Sequence, residues 1–221
     1  MNPSLGSAEE RKRIARNLAV RGVIIIDPSN TYIEEQVSIG PGTVIEPGAV
    51  LLGGTSVGED CKILGQVRMK NVRAGKGGVF AGPLVLEDCV FGDDATVGPF
   101  AQMKRSRVGN HFTAQHLCYL GDLEAGHSVN IGAGSTTANW NGEQKSKTKI
   151  GNNCFIGVNT IFVAPLVLGD ESGTAAGTVV TRDVPQSHLA IRRVRKQTNV
   201  PKAVLKTKTG WRIGKQARLK K

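Results

Sequence analysis

The chain has 221 residues, 39% apolar and only 5% aromatic, with 28 glycines and a formal charge of +11. No apolar run approaches the roughly 20 residues that cross a bilayer, and "MNPSLGSAEERKRIARN" has no apolar stretch after its charges. A membrane span and a secretory signal are therefore not expected, and a soluble, cytoplasmic protein is.

From the N-terminus, "SAEERKRIARNLAVRG" reads as a helix, with Ser7 and Glu10 as a capping-box pair and Gly22 as its stop. With its linker this arm occupies residues 1–30. A repeat then begins. Aliphatic residues recur every six positions at Ile33, Ile39, Ile45, Leu51, Val57, Ile63 and Met69. Four residues after each stands a small or β-branched residue: Val37, Thr43, Ala49, Thr55, Cys61 and Val67. The rhythm returns at Val85, Phe91 and Val97, and again from Ile150 through Ile156, Phe162, Leu168, Thr174 and Val180.

A period of six fits neither a helix nor a long alternating strand. It fits a triangular coil in which each hexad supplies one short strand and one turn, and stacked coils bury a core that no single coil could. Gly, Asn and Asp between the hexads suit backbone angles that bulky residues resist. The expected fold is all-β, a parallel β-helix of roughly eight coils over residues 31–185. Cys61, Cys89, Cys118 and Cys154 lie far apart with no CxxC pair, so they read as small buried fillers rather than a zinc site or disulfide framework.

One segment breaks the rhythm. "NIGAGSTTANWNGEQKSKTKIG" runs from Asn130 to Gly151 with its aliphatic positions lost between Ile131 and Ile150, so it is expected to loop out of the prism. Projecting loops on rigid scaffolds commonly carry binding groups. Beyond the repeat, residues 186–221 form a basic tail. Arg192 to Lys221 holds 12 of the 29 Lys and Arg and no Asp or Glu, leaving a nearly neutral body of 17 basic against 18 acidic residues.

The stretches "GPFAQMKRSRVG", "AQHLCYLGDLEAGHSVNIGAGSTTANWNGEQKSKTKIG", "VAPLVLGDESGTAAGTVVTRDV" and "LAIRRV" closely resemble one family. It is the C-terminal acetyltransferase domain of the bacterial bifunctional glucosamine-1-phosphate acetyltransferase/N-acetylglucosamine-1-phosphate uridyltransferase. The resemblance implies a left-handed winding of the β-helix, a homotrimer with sites between subunits, and acetyl transfer from acetyl-CoA to an amino-sugar phosphate, with no metal needed for the transfer. No Gly-rich nucleotide loop is present, so uridyl transfer is not expected.

An amine attacking a thioester must lose a proton, and the family's general base matches His116. A lone histidine is more often a surface or core residue; the matching context carries this one. The sugar-phosphate positions match Lys104, Tyr119, Asn130, Asn139 and Lys145, and the CoA positions match Ala133, Trp140, Val158, Ala176 and Arg193. Trp140 stands where the family commonly has Tyr, and Val158 where it has Ser. The family also places a phosphate-gripping Arg eighteen residues before the matched Lys. Counting back from Lys104 lands on Leu86, and no Arg or Lys lies between Gly77 and Met103. Loss of such a contact costs about 1.5–3 kcal/mol. Arg73 and Lys76 are the nearest substitutes.

Two other readings compete. One is acetylation of a different amine, prompted by Leu86. The other is a non-catalytic trimer whose tail binds nucleic acid or membrane; the tail's lone aromatic, Trp211, offers little base stacking and makes it the weaker reading.

Overall fold

The structure, a computed structural model, describes residues 7–192 and, for backbone alone, the antiparallel pair Val204–Thr207 and Gly210–Ile213. Arg193 lies outside the described residues, as does most of the basic tail.

Helix α1 spans Ala8–Val20. Ser7 caps it through the Glu10 amide while the Glu10 carboxylate accepts from the Ser7 amide at 2.7 Å, the reciprocal pair read from sequence. It stops as expected at Gly22. The Gly22 and Val23 amides donate back to the Ala19 and Leu18 carbonyls, and Leu18 and Val23 are buried together.

Behind α1 the chain winds into the expected left-handed parallel β-helix, with three parallel sheets forming a triangular prism. The first face has ten strands, from Ile24–Ile25 to Leu189–Ala190. The second has nine, from Tyr32–Ile33 to Val179–Val180, and the third eight, from Ser38–Ile39 to Leu166–Leu168. The stack is longer than the hexads suggest, because its first rung precedes Ile33 and its last follows Val180.

The hexad aliphatics point inward. Ile45, Leu51, Ile63 and Met69 are fully buried, as are the corner residues Thr43, Ala49 and Cys61. All four cysteines are buried thiols. Burial pushes the Cys89 thiol up to about 11, so it stays protonated at neutral pH. Phe80 packs edge-to-face on Phe91, with centroids 5.3 Å apart.

One expectation is corrected. Val85 does not continue the inward row; it is 38% exposed, and Leu86 is the fully buried residue. The inward positions run Met69, Ala74, Phe80, Leu86, Phe91, Val97, Met103 and Val108. The step across the corner from second to third face is therefore five residues, not six, and these coils contain 17 residues: Val79 pairs with Thr96, and Thr96 with Thr113.

The same slip reinterprets Leu86. It pairs with Met69 and Met103 inside the prism, where no phosphate-binding Arg would stand. The residue beneath Lys104 is Glu87.

The interruption is also smaller than expected. Thr136–Ala138 remains in the second face with Thr137 buried, and only the chain after it departs. Among the described residues no helix is long and apolar enough to cross a membrane, and no group of three or more His, Cys, Asp or Glu is placed to hold a metal.

Candidate active site on two edges of the prism

A coil length of 17 or 18 residues decides which side chains meet. Along the edge joining first and second faces, the Gly134 amide donates to the His116 carbonyl, the Asn159 amide to that of Ala133, and the Gly177 amide to that of Val158. His116, Ala133, Val158 and Ala176 thus form one column, each a coil above the last. His116 is exposed, and its imidazole has no hydrogen-bond partner among the described residues. Two large apolar residues flank it. Phe100 and Leu117 take left-handed backbone angles, φ 60° and 51°, and are 64% and 63% exposed. Asn130 lies on the first face between Thr113 and Phe155.

The other expected residues stand elsewhere. Lys104 ends a second-face strand, and its ammonium contacts Glu87 at 3.0 Å; Glu87 also faces Lys70 at 3.9 Å. Arg73 is on the third face, beneath Val90. Asn139, Trp140 and Lys145 belong to the edge between second and third faces. Tyr119 lies on the second face between these two sets. The second face here is the three-residue strand Tyr119–Gly121, about 10 Å wide at 3.3 Å per residue.

The sequence reading missed the group that organises the second edge. Asn71, Asp88, Arg105, Asp122 and Asn139 occupy successive rungs of one corner, 17 residues apart. Asn71 donates to Asp88, Arg105 makes a bidentate pair with Asp122 at 2.7 and 2.9 Å, and Asn139 donates to the same Asp122 carboxylate. The Arg105 guanidinium, first among its causes, holds the Asp122 carboxyl below the ordinary aspartate range, and the Asn139 amide and the Lys145 charge act in the same direction. Gly121 makes room for this convergence. A Cβ there would lie 2.6 Å from Asn139 Nδ2 and 2.7 Å from Tyr119 Oη. A column of polar residues at the true coil spacing is the signal that could have found the group.

The loop itself is a tight hairpin. Trp140 bridges Lys145, and the Asn141 side chain accepts from the Glu143 and Gln144 amides. Trp140 is 56% exposed at its base.

Comparison with known proteins fits this geometry. Residues 147–182 match the model of the hexapeptide repeat of succinyl-transferase. The repeat is thus present by pattern, by family model and by fold. The bifunctional protein GlmU of Clostridium botulinum (strain 657 / Type Ba4) is 38% identical over 229 residues, covering 96% of this chain and 48% of that protein. That of Caldanaerobacter subterraneus subsp. tengcongensis is 40% identical over 227 residues, covering 94% and 48%. Nearly the whole chain is similar to half of GlmU. It spans about half the length of these curated relatives. Among solved structures, the UDP-N-acetylglucosamine acyltransferase of Campylobacter jejuni superposes with a TM-score of 0.62 at 18% identity, covering 76% of this chain and 69% of that one. At that identity the likeness speaks for the fold.

Proposed function

We propose that the chain is an acetyl-CoA-dependent N-acetyltransferase acting on the amine of glucosamine-1-phosphate or a related amino sugar, and that it works as a homotrimer with sites completed between subunits. The observation that carries this is the column of His116, Ala133, Val158 and Ala176. It joins an exposed imidazole to a line of small residues running along one edge, an arrangement suited to an extended co-substrate. Ala133 and Ala176 leave backbone groups open to close approach, and Val158 offers an apolar contact where the resembling family has a serine hydroxyl. Arg193, expected to pair with a CoA phosphate, follows this column in sequence but lies outside the described residues. Similarity to GlmU over nearly the whole chain supports the same reading.

Bound acetyl-CoA supplies an activated thioester. The acceptor amine attacks the thioester carbonyl as His116 takes its proton; the carbon–sulfur bond then breaks and the proton passes to the departing thiolate. Lys104, Tyr119, Asn130, Asn139 and Lys145 bind the acceptor. In one chain Asn130 lies to one side of the second face, Lys104, Asn139 and Lys145 to the other and Tyr119 between them, and a neighbouring copy brings the two sets together.

A second acceptor class has its own support. Lys104 is neutralised by Glu87 and Arg105 by Asp122, so the site holds fewer free cations than a phosphate monoester calls for. A less anionic amino sugar fits that balance.

The test is thiol release from acetyl-CoA with glucosamine-1-phosphate, with glucosamine, and with no acceptor. His116→Ala is expected to lower kcat by about 10²–10⁴-fold while acetyl-CoA binding persists. Equal turnover by the variant removes His116 from the chemistry, and turnover confined to glucosamine selects the second acceptor class.

A further inference from the structure

The prism loses its regular coil at one corner, and one residue touches both ends of the excursion. Where the second face meets the third, the inward positions Thr137 and Ile150 are thirteen residues apart, against five in the coil below, from Leu120 to Ala125. The eight additional residues form the hairpin at 140–147. At its start, the Asn139 side chain donates to the Asp122 carboxylate. At its end, the Thr148 amide donates to the Asp122 carbonyl at 3.2 Å. The Ser146 amide closes the base onto the Asn139 carbonyl at 2.8 Å.

Asp122 differs from Asp88, the other acid of this column. Asp88, two rungs lower, is exposed and accepts one side-chain bond from Asn71. The Asp122 side chain is 13% exposed and bears the bidentate Arg105 as well as Asn139. A corner acid needed only for its turn has no use for three donors drawn from two coils. Arg105 fixes the carboxylate from the rung below, and Asn139 donates to it from the rung above, where the loop departs. Gly121, immediately before it, leaves the space that the ends of the Asn139 and Tyr119 side chains border.

We propose that Asp122 is a positioning residue that fastens both ends of the 139–148 excursion to the prism and thereby sets where Trp140 and Lys145 are presented. Only the reading of Lys145 as a substrate group rests on the proposed acetyl transfer; the clamp itself does not.

The experiment compares the unmodified chain with Asp122→Asn, which keeps the size and backbone carbonyl but loses the charge, and with Asn139→Ala, which removes the contact at the loop's start alone. Amide hydrogen exchange at Ser146 and Thr148 is expected to quicken by about ten- to a hundredfold in both variants, with exchange in the lower coils unchanged. In the transfer assay KM for the acceptor rises in Asp122→Asn while kcat falls little. Unchanged exchange at Ser146 and Thr148 overturns the clamp whether or not the protein transfers acetyl groups. Exchange that quickens equally throughout the prism also overturns it, since Asp122 is then a general stability residue. Quickened loop exchange with an unchanged KM keeps the clamp but overturns its role in presenting Lys145.

Discussion

At the scale of single residues, the site depends on one absent side chain. Gly121 is buried, and the atoms a methyl group would meet there are the far ends of the Tyr119 and Asn139 side chains rather than backbone, Asn139 being the one that donates to Asp122. Gly121→Ala should therefore fold with a near-normal melting temperature, because both ends can swing away. It should also bind acceptor at least tenfold more weakly, about 1.4 kcal/mol, because swinging away dismantles the convergence. Calorimetry and acceptor KM together check this, and a large loss of stability with unchanged KM would sink it. The proposal for His116 rests on the residues around it, since a solitary exposed histidine carries no spacing signal. Arg105 and Asp122 were invisible for a different reason. They are seventeen residues apart, and nothing local says they touch.

At the scale of elements, the prism is held by ladders that join one coil to the next. Gly126 and Asn152 show how two residue types are fixed together. Asn152 Oδ1 accepts from the His127 amide at 3.0 Å, and a Cβ on Gly126 would lie 2.2 Å from that oxygen. The small residue below is required by the amide above. Gly126→Ala is expected to destabilise by about 1–3 kcal/mol, and by less in an Asn152→Ala background, where the obstructing oxygen is gone. A double-mutant cycle by denaturant melting reads the coupling; simple additivity would refute the linkage. α1 and its caps were legible because every hydrogen bond that caps the helix spans at most five residues. The six-residue rhythm was legible too, since each inward side chain is set by its own hexad. The five-residue step at the second corner was not, and a single missing residue displaced Val85 and Leu86 from their assigned sides.

At the scale of the whole molecule, the expected residues within the described chain fall mainly on two edges separated by the second face, with Asn130 on the first face and Tyr119 on the second. Phe100 and Leu117 strengthen the case for assembly. Both hold left-handed angles that cost an L residue with a bulky side chain about 1–2 kcal/mol, and both present their apolar surface to solvent beside His116. Asn or Gly fills the same place higher on the edge, at Asn159 and Gly177. Cover from a neighbouring copy would offset that cost. Replacing both Phe100 and Leu117 with Ser is expected to shift the sedimenting species toward monomer and to abolish turnover with His116 intact. A double variant that sediments like the unmodified protein would remove this edge from any interface.

By itself the sequence determined the winding period, the helix and its caps, the buried cysteines and the place where the coil is interrupted, because each depends on neighbours within about six residues. Only the tertiary structure decided which positions stack. Stacking follows the number of residues in a whole coil, and that sum changes from 18 to 17 when one corner shortens. The shift turned Leu86 inward, put Glu87 under Lys104, and brought Arg105, Asp122 and Asn139 to a single point.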